Sequence, residues 1–256
     1  MNKLLLKISG TIVFISFLVT FLIVPLANAV EIDPQKLLEE VDDNLWSNTK
    51  YIEGRLIINN GRLERILEMV SWMEGIERSY SFYKAPPREK GTKMLKIGGK
   101  LWMYTPRTDR KILMAGHLLR QSMLGSDLSY EDMMEDHKLS YSYSATFSEQ
   151  GLEDSAGIRV LNLVAKDKKT TYQTRKVWID PKKRIVLKEE RFAKSGKLLK
   201  RILFEDYEKI GTRLFPRTMI FRDMLKENTK TTYKFDVIEF DVEIPVRYFS
   251  QSILKR

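Results

Sequence analysis

Side chains that commonly carry out catalysis or bind metals are sparse in this sequence. Its histidines are His117 and His137, it has no cysteine, and neither an H-E-x-x-H nor a G-x-S-x-G pattern occurs. A histidine-based metal site and a serine hydrolase of that type are therefore unsupported. Gly98-Gly99 is not followed by a strand-to-helix phosphate loop, so the pair is typical of a tight hairpin turn.

A cluster of acidic residues is the remaining candidate for chemistry. The cluster comprises Asp127, Glu131, Asp132, Glu135 and Asp136. Such carboxylates can bind a cation or exchange protons, but helix capping and solvation explain the same residues more simply. We therefore predict a protein that is not an enzyme and uses neither a metal nor a cofactor. An enzyme acting on lipid or glycan through Asp127 or Glu131 stays open as an alternative.

Apolar side chains recur with a period of two along many extended runs, which places them on one face of a sheet. The chain also has 11 methionines, which suit an interior that adapts to a flexible guest. The predicted lining of an apolar cavity is Leu67, Met69, Met73, Tyr80, Phe82, Trp102, Tyr104, Ile202, Phe204, Met219, Phe221, Tyr233 and Phe235. A filled core built from these residues is the alternative. Alternation does not decide whether Trp102 and Tyr104 or Leu101 and Met103 face inward.

The stretch from Leu118 to Asp136 interrupts this period, and most of it, the segment from Leu118 to Met134, is rich in Met and Leu. Ser129 and Asp132 have the spacing of a capping box, so we predict two short helices joined by a loop at Gly125. The segment is predicted to be a lid over the cavity. Its apolar contacts would come from Leu118, Leu119, Met123, Leu124 and Met133.

Two arginines precede this segment and lie at the turn that follows the extended run from Lys100 to Thr105. Arg107 and Arg110 can either contact the phosphate of a lipid headgroup or pair with Asp109.

The remaining elements are those that would position such a cavity. Asp33 and Pro34 start an amphipathic helix that ends before Tyr51. About a dozen extended runs follow, and their short connections indicate antiparallel neighbours. A sheet with this many strands must curl, so the predicted fold class is mainly β (α+β), with a curved antiparallel sheet that forms a barrel or a half-barrel and with only a few helices. The tail from Pro245 to Leu254 is predicted to form a last helical turn or cap.

Residues 1–29 are predicted to be a secretory signal peptide. Lys3 and Lys7 precede an uncharged apolar run, and Ala27-Asn28-Ala29 fits the cleavage pattern, so cleavage is expected before Val30. An uncleaved membrane anchor is the alternative. No linker, repeat or low-complexity tract divides residues 30–256, which are predicted to form a single domain.

The charge of the chain favours anionic partners. Its net charge is +10, which becomes +8 without Lys3 and Lys7. In an exported protein, lipid headgroups and membrane surfaces are better candidates than nucleic acid. Since there is no cysteine to carry a lipid, the exported chain is expected to move freely. It is also expected to be a monomer.

Three motifs give the chain a resemblance to a known family. They are LWMYTPRTDR, HLLRQSMLGSDLSYEDM and the closing FDVEIPVRYFSQSILKR. Their order resembles that of outer-membrane lipoprotein-sorting proteins, relatives of the LolA-type periplasmic carriers, over nearly the whole mature chain. The resemblance implies a LolA/LolB-like fold, a curved antiparallel sheet that forms an incomplete β-barrel with a few covering helices. The hollow interior of such a half-barrel accepts the acyl chains of a lipoprotein or lipid.

The same resemblance implies a periplasmic carrier that receives its cargo from an inner-membrane exporter and passes it to an outer-membrane acceptor. An envelope sensor or interaction module of the same fold, which binds a membrane protein, is the alternative.

Overall fold

The computed structural model of this chain describes residues 32–135, 138–148 and 157–255. The predicted signal peptide and its cleavage point lie outside the described residues, as do Asp136 and His137. The described chain contains helix α1 (Pro34–Leu45) and the single-turn helix α2 (Leu139–Ser142). Its strands are β1 (Thr49–Asn59), β2 (Glu64–Glu74), β3 (Arg78–Ala85), β4 (Lys93–Ile97), β5 (Lys100–Thr105), β6 (Arg110–Met114), β7 (Tyr143–Phe147), β8 (Arg159–Ala165), β9 (Thr174–Asp180), β10 (Ile185–Phe192), β11 (Leu198–Ile210), β12 (Arg213–Asp223) and β13 (Lys230–Phe240).

All thirteen described strands form one antiparallel sheet in the order β6-β5-β4-β3-β2-β1-β13-β12-β11-β10-β9-β8-β7. Two meanders, β1–β6 and β7–β13, are joined by the pairing of the first strand with the last. The sheet is curved and open, since its edge strands β6 and β7 do not pair with each other. The predicted fold class is confirmed.

Helix α1 begins where the sequence predicts. The Asp33 side chain accepts a hydrogen bond from the backbone N–H of Lys36 at 2.8 Å, and Pro34 occupies the first helical position. Leu37, Leu38 and Val41 are buried against strands β7 to β11. Helix α1 therefore covers the inner face of the second meander.

A second cover lies over the first meander. We call residues 115–135, which lead from edge strand β6 over the inner face, the covering segment; it contains the predicted lid. The prediction of two short helices is wrong, because the covering segment forms only single 3₁₀ turns. Leu124 and Gly125 take left-handed backbone conformations, with φ of 49° and 80°, which end the turn there.

Irregular pairings accompany the curvature of the sheet. The register of β1 against β13 shifts between Glu53 and Gly54, and such bulges increase local twist. A Cβ atom at Gly54 would lie 2.5 Å from the backbone oxygen of Lys234 and 2.7 Å from the ring of Tyr233. Glycine is required here because no side chain fits between the two strands.

The outer face of β3 to β5 has its own cover. Two 3₁₀ turns, Val246–Phe249 and Gln251–Lys255, place Tyr248 and Leu254 against this face, as the predicted cap requires. The rings of Tyr248 and Trp72 stack at 4.3 Å.

Candidate functional site

A cavity of about 260 Å³ lies on the inner face of the sheet. Helix α1 fills one half of this face and the covering segment fills the other, and the cavity is the space left between them. For scale, benzene binds in an engineered cavity of about 150 Å³. The inner face is therefore only partly filled by the protein's own side chains.

Methionines and aromatic rings dominate the apolar lining. The methionines are Met69, Met73, Met123, Met133 and Met219, and the rings include Phe204, Phe215, Phe221, Tyr233 and Phe235. Tyr233 and Phe235 alternate along β13 and have ring centroids 4.2 Å apart, while Phe215 meets Phe235 edge to face at 5.2 Å. Flexible thioethers beside these rings can adapt to an apolar guest.

The structure brings eight of the thirteen sequence-predicted residues together along the cavity. They are Met69, Met73, Ile202, Phe204, Met219, Phe221, Tyr233 and Phe235. Leu67 is fully buried on the same face, within the cluster under the covering segment. Phe215 also lines the cavity and completes the aromatic group. It lies four residues before Met219 on β12, and this even spacing, which predicts the same face of the strand, was missed in the sequence.

Four of the predicted residues are on the wrong face. Tyr80, Phe82, Trp102 and Tyr104 belong to the cluster under the C-terminal turns. Their alternate neighbours line the inner face instead, with Ser79 and Ser81 at the cavity and Leu101 and Met103 under the covering segment. Sequence alternation alone cannot tell the two faces apart when both are apolar.

All five predicted lid residues pack into one cluster on the first meander. Met123 is fully buried in this cluster, and the partly buried members are Leu118, Leu119, Leu124 and Met133. Met123 and Met133 also line the cavity. The covering segment therefore forms one wall of the cavity.

Asp127 fastens this segment to the sheet. Its buried carboxylate accepts hydrogen bonds from the hydroxyls of Thr229 and Thr231, the latter at 2.8 Å. The carboxylate of Glu131 accepts one from Thr171 at 3.0 Å. Neither carboxylate lines the cavity. Their hydrogen bonds therefore indicate that both residues anchor the covering segment to the rest of the protein. Within the described residues, no group of three or more acidic or histidine side chains is arranged to hold a metal ion.

Arg107 and Arg110 are exposed at the β5–β6 corner and are not part of the cavity lining. The nearby Asp109 accepts a hydrogen bond from the Tyr104 hydroxyl at 3.0 Å. The corner therefore does not supply a headgroup contact to this cavity.

A buried ionic cluster, which sequence reasoning missed, forms part of the cavity wall. It consists of Arg175 on β9, Glu189 and Arg191 on β10, and Asp132 and Glu135 from the covering segment. Arg175 donates to Glu189 at 2.6 Å and also to Glu135, while Arg191 donates to Glu189 at 2.8 Å and to Asp132 at 2.9 Å.

The two arginines lie opposite each other on neighbouring strands. Like charges in this arrangement repel, so the carboxylates between them are what makes it stable. Burial alone would raise the pKa of Glu189, but Arg191 and Arg175 outweigh it and lower that pKa to about 2. Burial would likewise raise the pKa of Asp132, yet Arg191 and Ser129 hold it below its ordinary value.

Polar groups also line the cavity near helices α1 and α2. Asp42 accepts hydrogen bonds from the backbone N–H groups of Leu139 and Ser140, and burial raises its pKa. The hydroxyl oxygens of Ser71 and Ser81 are 2.8 Å apart, and the buried Trp46 indole nitrogen has no hydrogen-bond partner among the described residues. The cavity thus combines an apolar wall with polar groups at restricted places, as small-molecule sites do.

Solved structures share this architecture. A DUF1329 family protein from Desulfovibrio piger is 23% identical, with a TM-score of 0.77 over 87% of this chain and 100% of that chain. A domain named for outer membrane lipoprotein sorting, from Vibrio parahaemolyticus, is 18% identical, with a TM-score of 0.74 over 87% of this chain and 98% of that chain. A LolA superfamily protein from Nitrosomonas europaea is 20% identical, with a TM-score of 0.70 over 87% of this chain and 99% of that chain.

The chain therefore has the LolA-like fold: an open, curved antiparallel sheet with helical covers. A protein-family model described as "Uncharacterized protein" matches residues 75–256, which is more than half of the chain, and the chain belongs to that family. No curated protein matches it in sequence. Among the described residues, no helix has both the length and the apolar character needed to cross a membrane.

Proposed function

We propose that this protein is an exported, non-enzymatic carrier that holds the acyl chain of a lipoprotein or lipid in its inner-face cavity. The observation that carries the proposal is the cavity itself, which is lined by five methionines and a group of aromatic rings. Each methylene removed from water contributes about 0.8 kcal/mol, so one long chain would supply on the order of 10 kcal/mol without directional contacts.

Entry and release would depend on the covering segment. This segment forms one wall of the cavity and is built from single turns rather than from a continuous helix. A wall of this kind can move without unfolding the sheet. We further propose that cargo comes from an inner-membrane exporter and leaves to an outer-membrane acceptor, so that the carrier works in the periplasm.

The position of Trp46 gives a direct test. Trp46 lines the cavity, whereas Trp72 and Trp102 lie under the C-terminal turns. Delipidated protein would be titrated with a fatty acid brominated in its chain and with the unbrominated acid. We expect bromine-dependent quenching of tryptophan fluorescence that saturates at one chain per protein.

The variant Trp46→Phe should lose this quenching, while the matched variant Trp72→Phe should keep it. Absence of saturable, bromine-dependent quenching in the unmodified protein would contradict the carrier proposal. A protein that stays empty but is retained by a membrane protein in both lipid-loaded and lipid-free samples would instead be an interaction module.

A further inference from the structure

The ionic cluster has two sources of negative charge. Glu189 lies on the sheet between the two arginines, whereas Asp132 and Glu135 come from the covering segment. With all five groups ionised the cluster carries a net charge of −1. Without the covering segment, the two arginines and Glu189 would carry a net charge of +1.

These side chains are largely withdrawn from water. The exposed fraction is 2% for the Arg175 side chain, 5% for Glu189 and 3% for Asp132, and it reaches 10% for Glu135 and 13% for Arg191. A buried charge that loses its partner is strongly destabilised. Movement of the covering segment away from the cavity is therefore unfavourable unless another anion replaces Asp132 and Glu135.

Arg191 has one donor group that takes no part in the hydrogen bonds of the cluster. The hydrogen bonds of Arg191 use Nε and Nη1. Nη2 makes no hydrogen bond to the described residues, and the Arg191 side chain lines the cavity with an exposed fraction of 13%. Nη2 therefore has N–H groups available to a guest.

The surroundings suit a compact anion attached to an apolar chain. The centre of the Tyr172 ring lies 5.4 Å from the guanidinium carbon of Arg175 and 5.2 Å from that of Arg191, which is within cation–π range of both. Paired guanidinium groups match the geometry of phosphate oxygens. Met133 and Ile202 line the same cavity and would contact the chain that follows the headgroup.

We propose that Arg175 and Arg191 form a site for the phosphate headgroup of an anionic amphiphile, which takes the place of the Asp132 and Glu135 carboxylates. The site rests on the proposed carrier function and names its class of cargo. Headgroup binding and release of the covering segment are then one exchange of anions. Amphiphiles with neutral or cationic heads would leave the arginines unpaired and bind more weakly.

Calorimetric titration with three probes tests the site. The probes are dodecyl phosphate, dodecyl maltoside and inorganic phosphate, with both detergents used below micelle formation. We expect dodecyl phosphate to bind at least about tenfold more tightly than dodecyl maltoside, because charge-assisted hydrogen bonds form only with the phosphate. Inorganic phosphate should bind more weakly than dodecyl phosphate because it lacks the chain.

Two variants separate the headgroup site from a purely structural cluster. Arg191→Gln should remove the preference for phosphate, so that dodecyl phosphate binds no more tightly than dodecyl maltoside to this variant. Glu135→Gln keeps both arginines and removes one competing carboxylate, so it should bind dodecyl phosphate more tightly than the unmodified protein. Arg201→Gln is the matched control, since Arg201 pairs with Glu190 at 2.8 Å outside the cavity lining and should change neither affinity.

Equal binding of the two detergents, or a phosphate preference that survives Arg191→Gln, would overturn the headgroup site while the carrier function stands. Inorganic phosphate that binds as tightly as dodecyl phosphate would overturn the claim that the site serves an amphiphile. Failure of both detergents to bind would overturn the carrier function and the headgroup site with it.

Discussion

Glu189 is the residue on which the two buried arginines depend most directly. It is the sheet's own counter-charge, and it accepts hydrogen bonds from both Arg175 and Arg191. Its pKa of about 2 in the folded protein lies below the ordinary glutamate value of 4.5. The folded state therefore holds the ionised form more firmly than the unfolded chain does.

This difference predicts how stability depends on pH. Because the folded pKa is the lower one, the stabilisation is complete above about pH 4.5 and is lost as the pH falls from there toward about 2. By pH 3 the free energy of unfolding should fall by about 2 kcal/mol through this group. Urea unfolding between pH 7 and pH 3 measures the change.

Glu189→Gln is the comparison for this prediction. The variant keeps two arginines and two carboxylates in the cluster, so its charges still balance. Its free energy of unfolding should depend less on pH below 4.5 than that of the unmodified protein. Equal pH dependence in the two proteins would show that Glu189 does not have the lowered pKa.

The β1–β13 pair leaves no space for a side chain at Gly54. We expect Gly54→Ala to reduce the free energy of unfolding by roughly 1–3 kcal/mol, because the new Cβ atom would lie 2.5 Å from a backbone oxygen. Gly99→Ala is the control, since a Cβ atom there meets nothing within 4 Å. Similar unfolding free energies for the two variants would contradict this account of the bulge.

The strands and helix α1 were predictable from the sequence because each depends on local signals. A period of two, turn residues at the ends and the Asp33-Pro34 start define them without reference to the rest of the chain. The face that each strand turns inward was less predictable. Trp102 and Tyr104 look like cavity residues because they are aromatic, but the C-terminal turns cover them from outside.

The ionic cluster could not be predicted in the same way. Along β10, Glu189 and Arg191 belong to the charged run KEER, which is typical of an exposed face. Their burial results from Asp132 and Glu135, which reach them from the connection between the two sheet edges. Because these elements are far apart along the chain, no pattern in the sequence of either element indicates that they are in contact.

For the whole molecule, the cavity follows from a mismatch of size. Thirteen strands make an inner face too wide for helix α1 and the covering segment to fill. Filling the remaining space with a larger side chain should therefore compete with a guest. We expect Met219→Trp to lower acyl-chain affinity roughly tenfold, the equivalent of about two methylene contacts.

Ile220→Trp is the matched control for this substitution. Ile220 neighbours Met219 on β12, and successive strand residues point to opposite faces. The Ile220→Trp variant should bind an acyl chain with the same affinity as the unmodified protein. Equal affinities for both variants would place the guest somewhere other than this cavity.

Native mass spectrometry of the protein, purified without detergent from the exported fraction of its cells, tests most directly whether the cavity carries an acyl chain. We expect one bound acyl-bearing molecule per chain, and less bound material in Met219→Trp than in Ile220→Trp. Detection of the bare chain mass alone, even after incubation with acyl cargo, would contradict the carrier proposal.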